Sequence, residues 1–413
     1  MAKVKKSRFS ILKILEINLD KNTPLLERFC KPCLAPQGQI IFAFSKQAQV
    51  APRRFRAAPE GEREYQQSTI SQSMRTKNIL KLIIAILISG CMGSCDKEEI
   101  LESKSGFPEN ATNLSMFNSK YDDYNSDIAP GEYDMFPLIF SSNRNSKGKN
   151  FDLNMFSVGL SYPFEKDVVS IGESAGITYT HSNLNEIMAA VNTAENQFGP
   201  YLYYLPASTD VHHEELVFFY AQGDQDKLDI LYWLHELVDE PTIHNRYKWS
   251  GPFELKSVNT GQFSEGYISI QGDQIYYCSN YTGNYEIYQK EIPSDVTIQE
   301  FLKTENKSDM NPVAELNSNA DDKCPYMLDD FMVFASNRAG GFGGFDLWYS
   351  KKINGQWEVP QNFGSNINSE FDEYRPIVRK YENINNDMMI FSSNRKGGLG
   401  GFDLYYVGIT ETK

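Results

Sequence analysis

Four acids stand at matching places ahead of apolar runs: Asp134, Glu265, Asp322 and Glu373. Asp134-Met-Phe-Pro137, Asp322-Lys-Cys-Pro325 and Glu373-Tyr-Arg-Pro376 share an acid three residues before a proline. Gln197-Phe-Gly-Pro200 and Glu265-Gly-Tyr-Ile268 are looser versions. If these acids converge on one axis, two chemistries open. Several carboxylate oxygens suit Ca²⁺, and two carboxyls flanking a sugar linkage suit glycoside hydrolysis. Hydrolysis needs carboxyls in unlike environments. Here the same acid recurs, which favours binding or architecture.

Other chemistry-bearing residues say less. His212-His213-Glu214-Glu215 is the densest group of metal-ligating types. Neighbouring strand residues face opposite ways, and no helical pair of histidines accompanies it, so the metal content stays unknown. Cys30-Lys-Pro-Cys33 is half a zinc motif without its second pair. Cys278 and Cys324 are read as core thiols. No nucleophile elbow, phosphate loop or dinucleotide fingerprint lies between a strand and a helix. No catalytic residue is therefore assigned.

A second pattern joins charges of opposite sign. Arg144 precedes Asp152, Arg338 precedes Asp346 and Arg395 precedes Asp403, each by eight residues. A guanidinium holds a carboxylate with two hydrogen bonds. Each arginine can meet its aspartate across a hairpin, or reach the acid ahead of the proline; both pairings stay open. Recurrence marks these residues as structural, and Arg395→Ala is expected to destabilise the fold.

These residues sit in a repeat, the first thing to seek in a chain of 413 residues. Phe331-Met-Val-Phe-Ala-Ser-Asn-Arg338 leads through glycines to Phe345-Asp-Leu-Trp-Tyr349, and Met389-Ile-Phe-Ser-Ser-Asn-Arg395 leads to Phe402-Asp-Leu-Tyr-Tyr406. Earlier copies are Leu138–Arg144 with Phe151–Asn154, and Ile275–Asn280 with Tyr285–Tyr288. A degenerate copy is Leu216–Gln222 with Lys227–Tyr232. Asn280, Asn337 and Asn394 are spaced by 57 residues. Each unit reads as an inner strand opened by the acid motif, a hairpin, and an outer strand such as Trp357-Glu-Val359. Four strands per unit make a propeller blade. The chain ends three strands into the last blade, so residues around Asn113–Asn118 are expected to supply its outer strand. In the irregular second unit, Asn183–Ala194 reads as a short helix. Tyr201, Tyr203, Tyr204, Tyr232, Trp233, Tyr247 and Trp249 cluster there, as core residues or as a stacking surface.

Charge divides the chain. Residues 1–95 carry a net +10 and residues 96–413 a net −24. So acidic a domain repels nucleic acid. Met74-Arg-Thr-Lys77, an apolar run from Ile79 to Ile88, and Ile88-Ser-Gly-Cys91 have the layout of a secretory signal. The run is too short to span a bilayer. It resembles a bacterial lipoprotein signal, which implies lipid attachment at Cys91, or at Cys95 with Asp96-Lys-Glu-Glu99 behind it. That acidic tract is similar to a surface-export signal of Bacteroidetes lipoproteins. Residues 1–73 are then a gene-model extension or a disordered segment.

The run from the serine–asparagine–arginine triplet through paired glycines to Asp-Leu-Trp, with its acid–proline motif, resembles the PD40 family, WD40-like repeats also found in TolB. The match covers residues 115–413, nearly complete in the last two units, partial in the first and weak in the second and third. It implies an all-β propeller of about five four-stranded blades, or six as in TolB. The expected layout is an extension (1–73), a signal peptide (74–95), a linker (96–114) and a propeller (115–413). The expected function is a non-enzymatic lipoprotein of the outer membrane, periplasmic or surface-facing, that binds an envelope protein or glycan. The alternatives are a glycoside hydrolase using the axial acids, and a TolB-like periplasmic accessory protein. No cofactor beyond calcium is implied, and oligomeric state is left open.

Overall fold

The computed structural model describes residues 105–128, 134–162, 168–174, 179–205, 215–224, 227–240, 243–305, 310–381 and 384–411. Cys30, Cys33, the signal-like segment with Cys91 and Cys95, and His212, His213 and Glu214 lie outside the described residues. A short strand β1 (Thr112–Asn113) precedes β2 (Asp123–Ile128), β3 (Met135–Ser142), β4 (Asp152–Ser161) and β5 (Ser170–Glu173). Helix α1 (Tyr179–Val191) leads to β6 (Gln197–Tyr204), β7 (Leu216–Asp224), β8 (Lys227–Glu240) and β9 (Ile243–Glu254). Then come β10 (Glu265–Gln271), β11 (Gln274–Ser279), β12 (Glu286–Glu291), helix α2 (Ile298–Leu302) and β13 (Asn311–Pro312). They are followed by β14 (Asp322–Leu328), β15 (Phe331–Ser336), β16 (Asp346–Ile353), β17 (Gln356–Trp357) and β18 (Gln361–Asn362). The last strands are β19 (Glu373–Arg379), β20 (Asp387–Ser393) and β21 (Asp403–Ile409).

These strands form five antiparallel sheets. Blade one is β2–β5, blade two β6–β9, blade three β10–β13, blade four β14–β18, and blade five β19–β21 with β1 as its outer strand. The fold is a five-bladed β-propeller, not a six-bladed one. The closing strand comes from the start of the domain, with Thr112 opposite Tyr406 and Asn113 opposite Tyr405. It sits at the near edge of the segment expected from sequence.

The alternation within each strand explains the packing. Residues of one face of each sheet meet the other face of the next, so apolar side chains pack between blades. Val333, Ala335 and Leu347 of blade four meet Met389, Phe391 and Val407 of blade five in one such layer. Helix α1 covers the space between blades one and two, burying Leu184, Ile187 and Val191 against Ile139, Leu153 and Leu202. It begins four residues earlier than the sequence suggests. Among the described residues, no helix is long and apolar enough to cross a membrane.

One assignment of the repeat needs correcting. Asp134 does not open an inner strand: it is exposed in the turn before β3 and accepts a hydrogen bond from the Tyr162 hydroxyl at 2.9 Å. The matching acid in blade one is Asp123, at the head of β2. Its motif, Asp123-Tyr-Asn-Ser126, lacks the proline, whereas Pro137 belongs to the second strand.

Candidate functional site

Every inner strand carries the same irregularity. The register slips between Tyr124 and Asp127, Phe198 and Tyr201, Gly266 and Ser269, Lys323 and Tyr326, and Tyr374 and Ile377. At each slip one residue has positive φ: Asn125, Gly199, Tyr267, Cys324 and Arg375. Bulges of this kind re-aim a side chain, and non-glycine residues adopt this conformation only under constraint. The constraint here is the propeller axis. Asn125 Nδ2 donates to the Tyr267 hydroxyl at 3.3 Å, and Arg375 Nη2 donates to the Pro200 carbonyl at 3.2 Å, both between blades that are not neighbours. Gly199 makes room for the Tyr267 ring, whose Cδ1 would lie 2.6 Å from any Cβ there. Tyr267 and Arg375 thus plug the axis.

The acids at the heads of the inner strands are used inside their own blades. Asp123, Glu265, Asp322 and Glu373 are all fully buried. Arg144 reaches Asp123 at 2.6 Å, Arg338 reaches Asp322 at 2.5 Å and Arg395 reaches Glu373 at 2.9 Å. Of the two pairings left open by sequence, the structure takes this one. Each arginine also donates to a carbonyl before the inner strand: Phe117, Leu316 and Ile367 respectively. The repeat aspartates do other work. Asp346 accepts from the amides of Phe342 and Gly343, and Asp403 from those of Leu399 and Gly400, so each caps its own glycine loop. Asp152 heads β4 opposite Ser142.

Blade three departs from this scheme. Tyr281 stands where three other blades carry arginine, and among the described residues Glu265 takes Thr260 and Ser279 as donors. Burial pushes its carboxyl up to about 7 from 4.5. On the axis, burial likewise holds Asp127 up at about 6, against the Leu202 amide and the Arg375 charge. A carboxyl raised in the folded state binds its proton more tightly there than in the unfolded chain. It stabilises the fold in acid, and that contribution is lost as pH rises through the folded value. Thermal melting of residues 96–413 is therefore expected to fall between about pH 4.5 and 7. Glu265→Gln should flatten that slope, and Tyr281→Arg should raise melting at neutral pH by supplying the missing guanidinium. Parallel slopes for wild type and Glu265→Gln would refute this assignment.

Two further rings were missed in the sequence. The amides of Phe151, Leu228, Tyr285, Phe345 and Phe402 donate to Asn196, Ser264, Asp321, Asp372 and Asp122 of the following blade at 2.8–3.0 Å. Five asparagines, Asn118, Asn192, Asn259, Asn317 and Asn368, each bond both the amide and the carbonyl of a third-strand residue. Their signal was present: each lies five or six residues before an inner-strand head.

Above the axial plug the blades leave a funnel of about 390 Å³. Tyr124, Phe198 and Tyr374 line it from the second position of their inner strands. Tyr285, Phe345 and Phe402 line it from the residue just before each third strand, and Tyr267 contributes its ring. Lys323, Asp372, Asn280 and Leu228 complete the wall. The Lys323 ammonium lies 3.8 Å from the centre of the Tyr285 ring and 5.4 Å from that of Phe345. The acids at the inner-strand heads do not line this funnel; Asp372, which does, has counterparts in Asp122 and Asp321. The tyrosine and tryptophan cluster of blade two lies elsewhere: Tyr201 and Tyr232 are core, and Trp249 donates to the Asn183 carbonyl.

A second cleft, of about 460 Å³, opens on blade two and brings Glu195, Asp224, Asp229 and Glu254 around Lys227. Asp229 is the blade-two counterpart of the loop-capping aspartates, but here the hairpin is short. Burial raises its carboxyl, opposed by Lys227 and reinforced by Glu254. Glu254 pairs with Leu231, two residues along from Asp229, so both carboxyls share one sheet face. Cys278 and Cys324 are buried free thiols, as read from sequence. Among the described residues, no three His, Cys, Asp or Glu side chains are grouped to hold a metal ion.

No protein-family model matches the chain, and no curated protein does. Among solved structures, it is similar to the catalytic domain of a GH62 α-L-arabinofuranosidase from Coprinopsis cinerea. The identity is 12%, covering 73% of this chain and 96% of that one, with a TM-score of 0.38. It is similar to an α-L-arabinanase from Cellvibrio cellulosa complexed with arabinohexaose, at 8% identity over 71% and 93% of the chains and a TM-score of 0.38. A TolB-type protein from Agrobacterium tumefaciens matches at 10% identity over 64% and 87%, with a TM-score of 0.28. These likenesses concern the fold.

The expectation of a non-enzymatic binding module does not stand. The similar solved propellers are mostly glycoside hydrolases. The repeated acids also do not line the axis as that expectation supposed: they are braces inside their own blades.

Proposed function

We propose that this protein acts on carbohydrate, taking a glycan chain end into the axial funnel and hydrolysing it. The observation that carries this reading is the funnel wall: seven aromatic rings around one carboxylate, Asp372, and one amine, Lys323. The apolar C–H face of a sugar ring stacks on an aromatic face, and Asp372 supplies one of the two carboxyls that cleavage of a glycosidic bond uses. Asp372 is the funnel's carboxyl. A second placement of the chemistry is the blade-two cleft, where burial and Glu254 hold the Asp229 carboxyl up. Asp229 and Glu254 place two carboxyls on one sheet face there, the number that glycoside cleavage uses.

The test is release of reducing ends from a polysaccharide panel by purified residues 96–413. The panel includes arabinan and galactan, the sugars of the similar solved enzymes. Turnover lost in Asp372→Asn and kept in Asp229→Asn supports the funnel as the reaction centre; the reverse pattern moves it to the cleft. No release from any substrate overturns hydrolysis.

The finer kinship and the location belong to the same proposal. The repeat signature supports membership of the PD40 repeats. The signal-like segment supports lipid attachment at Cys91 or Cys95 and an outer-membrane home, where glycans are at hand. Palmitate labelling that survives Cys95→Ala and disappears in Cys91→Ala would fix the anchor; labelling of neither cysteine would remove it.

A further inference from the structure

We infer that the sugar taken by the axial funnel is acidic: a uronic acid unit whose carboxylate pairs with Lys323. This rests on the reading of the funnel as a glycan site and names the substrate class. Lys323 is half-buried on the funnel wall, held against the Tyr285 and Phe345 rings, and makes no ion pair among the described residues. An ammonium ion between aromatic walls is poorly hydrated on those sides, so a carboxylate brought to it gains more than in open water. Among the described residues Asp372, the funnel's carboxylate, is not in ion-pair contact with it. Oδ1 accepts from the Phe345 amide at 2.9 Å and Oδ2 from Asn394 Nδ2 at 3.0 Å.

Beneath the funnel, Arg375 is fully buried, with its guanidinium carbon 5.7 Å from the centre of the Tyr267 ring. Its Nη2 donates to the Pro200 carbonyl, while Nε and Nη1 have no partner among the described residues. Its charge is met on the axis by the buried Asp127 carboxyl, which the guanidinium helps to ionise. Tyr267 stands between Arg375 and the funnel, so Lys323 is the cation that a ligand meets. A neutral sugar would use the rings and leave the Lys323 charge unanswered. A uronate uses the rings through its C–H face and the ammonium through its carboxylate.

The experiment is calorimetric titration of residues 96–413 with galacturonate trimer and with the galactose trimer that lacks only the carboxylates. The acidic trimer is expected to bind about tenfold tighter, as one charge-assisted hydrogen bond provides. The preference should shrink with added salt. Lys323→Met, which keeps the stem against the rings, should reduce the acidic-to-neutral ratio to about one, and Lys323→Arg should restore most of it. Equal binding of both trimers by the wild type overturns the inference and leaves the glycan site standing. Binding of neither sinks the glycan site with it. A glutamate tripeptide that binds as tightly as the galacturonate trimer overturns the choice of a sugar acid.

Discussion

Arg395→Ala is expected to cost about 3–5 kcal/mol of folding stability, the usual price of stranding a buried charge. Glu373 is fully buried and its cation is Arg395, at 2.9 Å. The same guanidinium bonds the Ile367 carbonyl at 2.6 Å and the Ser393 hydroxyl at 3.0 Å, so its removal also strands a carbonyl. Ser369 and Ser393 still donate to the acid, but hydroxyls bring no charge. Burial already holds the Glu373 carboxyl above its usual range, with Arg395 opposing. Without the arginine that value rises further. The variant is therefore most weakened at neutral pH and recovers as the acid takes up its proton. Urea unfolding of residues 96–413 measures this, and Arg395→Met combined with Glu373→Gln should regain much of the loss. An unchanged midpoint for Arg395→Ala would mean that the brace contributes nothing. Blade three makes such a loss survivable in principle, since Glu265 lacks an arginine and the blade still forms.

Gly400→Ala is expected to cost a comparable amount, about 3 kcal/mol, by a different route. A Cβ at this position would overlap the Tyr121 carbonyl oxygen, with the Tyr121 carbonyl carbon at 2.7 Å and the Ser119 oxygen at 3.1 Å. These are backbone atoms leading into blade one, and Gly400 belongs to blade five. The clash therefore falls on the seam that closes the ring. Neither side can yield easily, because Phe402 is bonded to Asp122 and Asp123 across it. Gly343 meets the backbone of Ser369 and Phe371 in the same way between blades four and five. Gly397 has positive φ but open space around it, and Gly397→Asn should melt close to wild type. If Gly400→Ala melts like Gly397→Asn, close approach at the seam is not what the glycine provides.

The propeller was legible in the sequence because a blade is a local object. Its four strands follow one another, its hairpins need glycines or polar turns, and its braces join residues within about one repeat of each other. Arg338 and Asp322 are 16 residues apart, so the spacing of types already carried the pairing as one of two choices. The misplacement of Asp134 shows where that legibility ended. The motif in blade one had lost its proline at Ser126, and a chance Pro137 supplied a rival that only strand pairing could reject.

The site was settled by closure. Its wall takes Tyr124 from blade one, Phe198 from blade two, Tyr285 from blade three, Lys323 and Phe345 from blade four, and Tyr374 and Phe402 from blade five. No local spacing relates such residues. A bulge at the third position of each inner strand brings that residue to the axis, and the ring of amide bonds sets how near the five strands approach. The sequence by itself determined the blade, because hydrogen bonds and alternation act between near neighbours along the chain. Only the tertiary structure decided which groups meet at the axis, because that depends on how many blades close the circle and how tightly they pack.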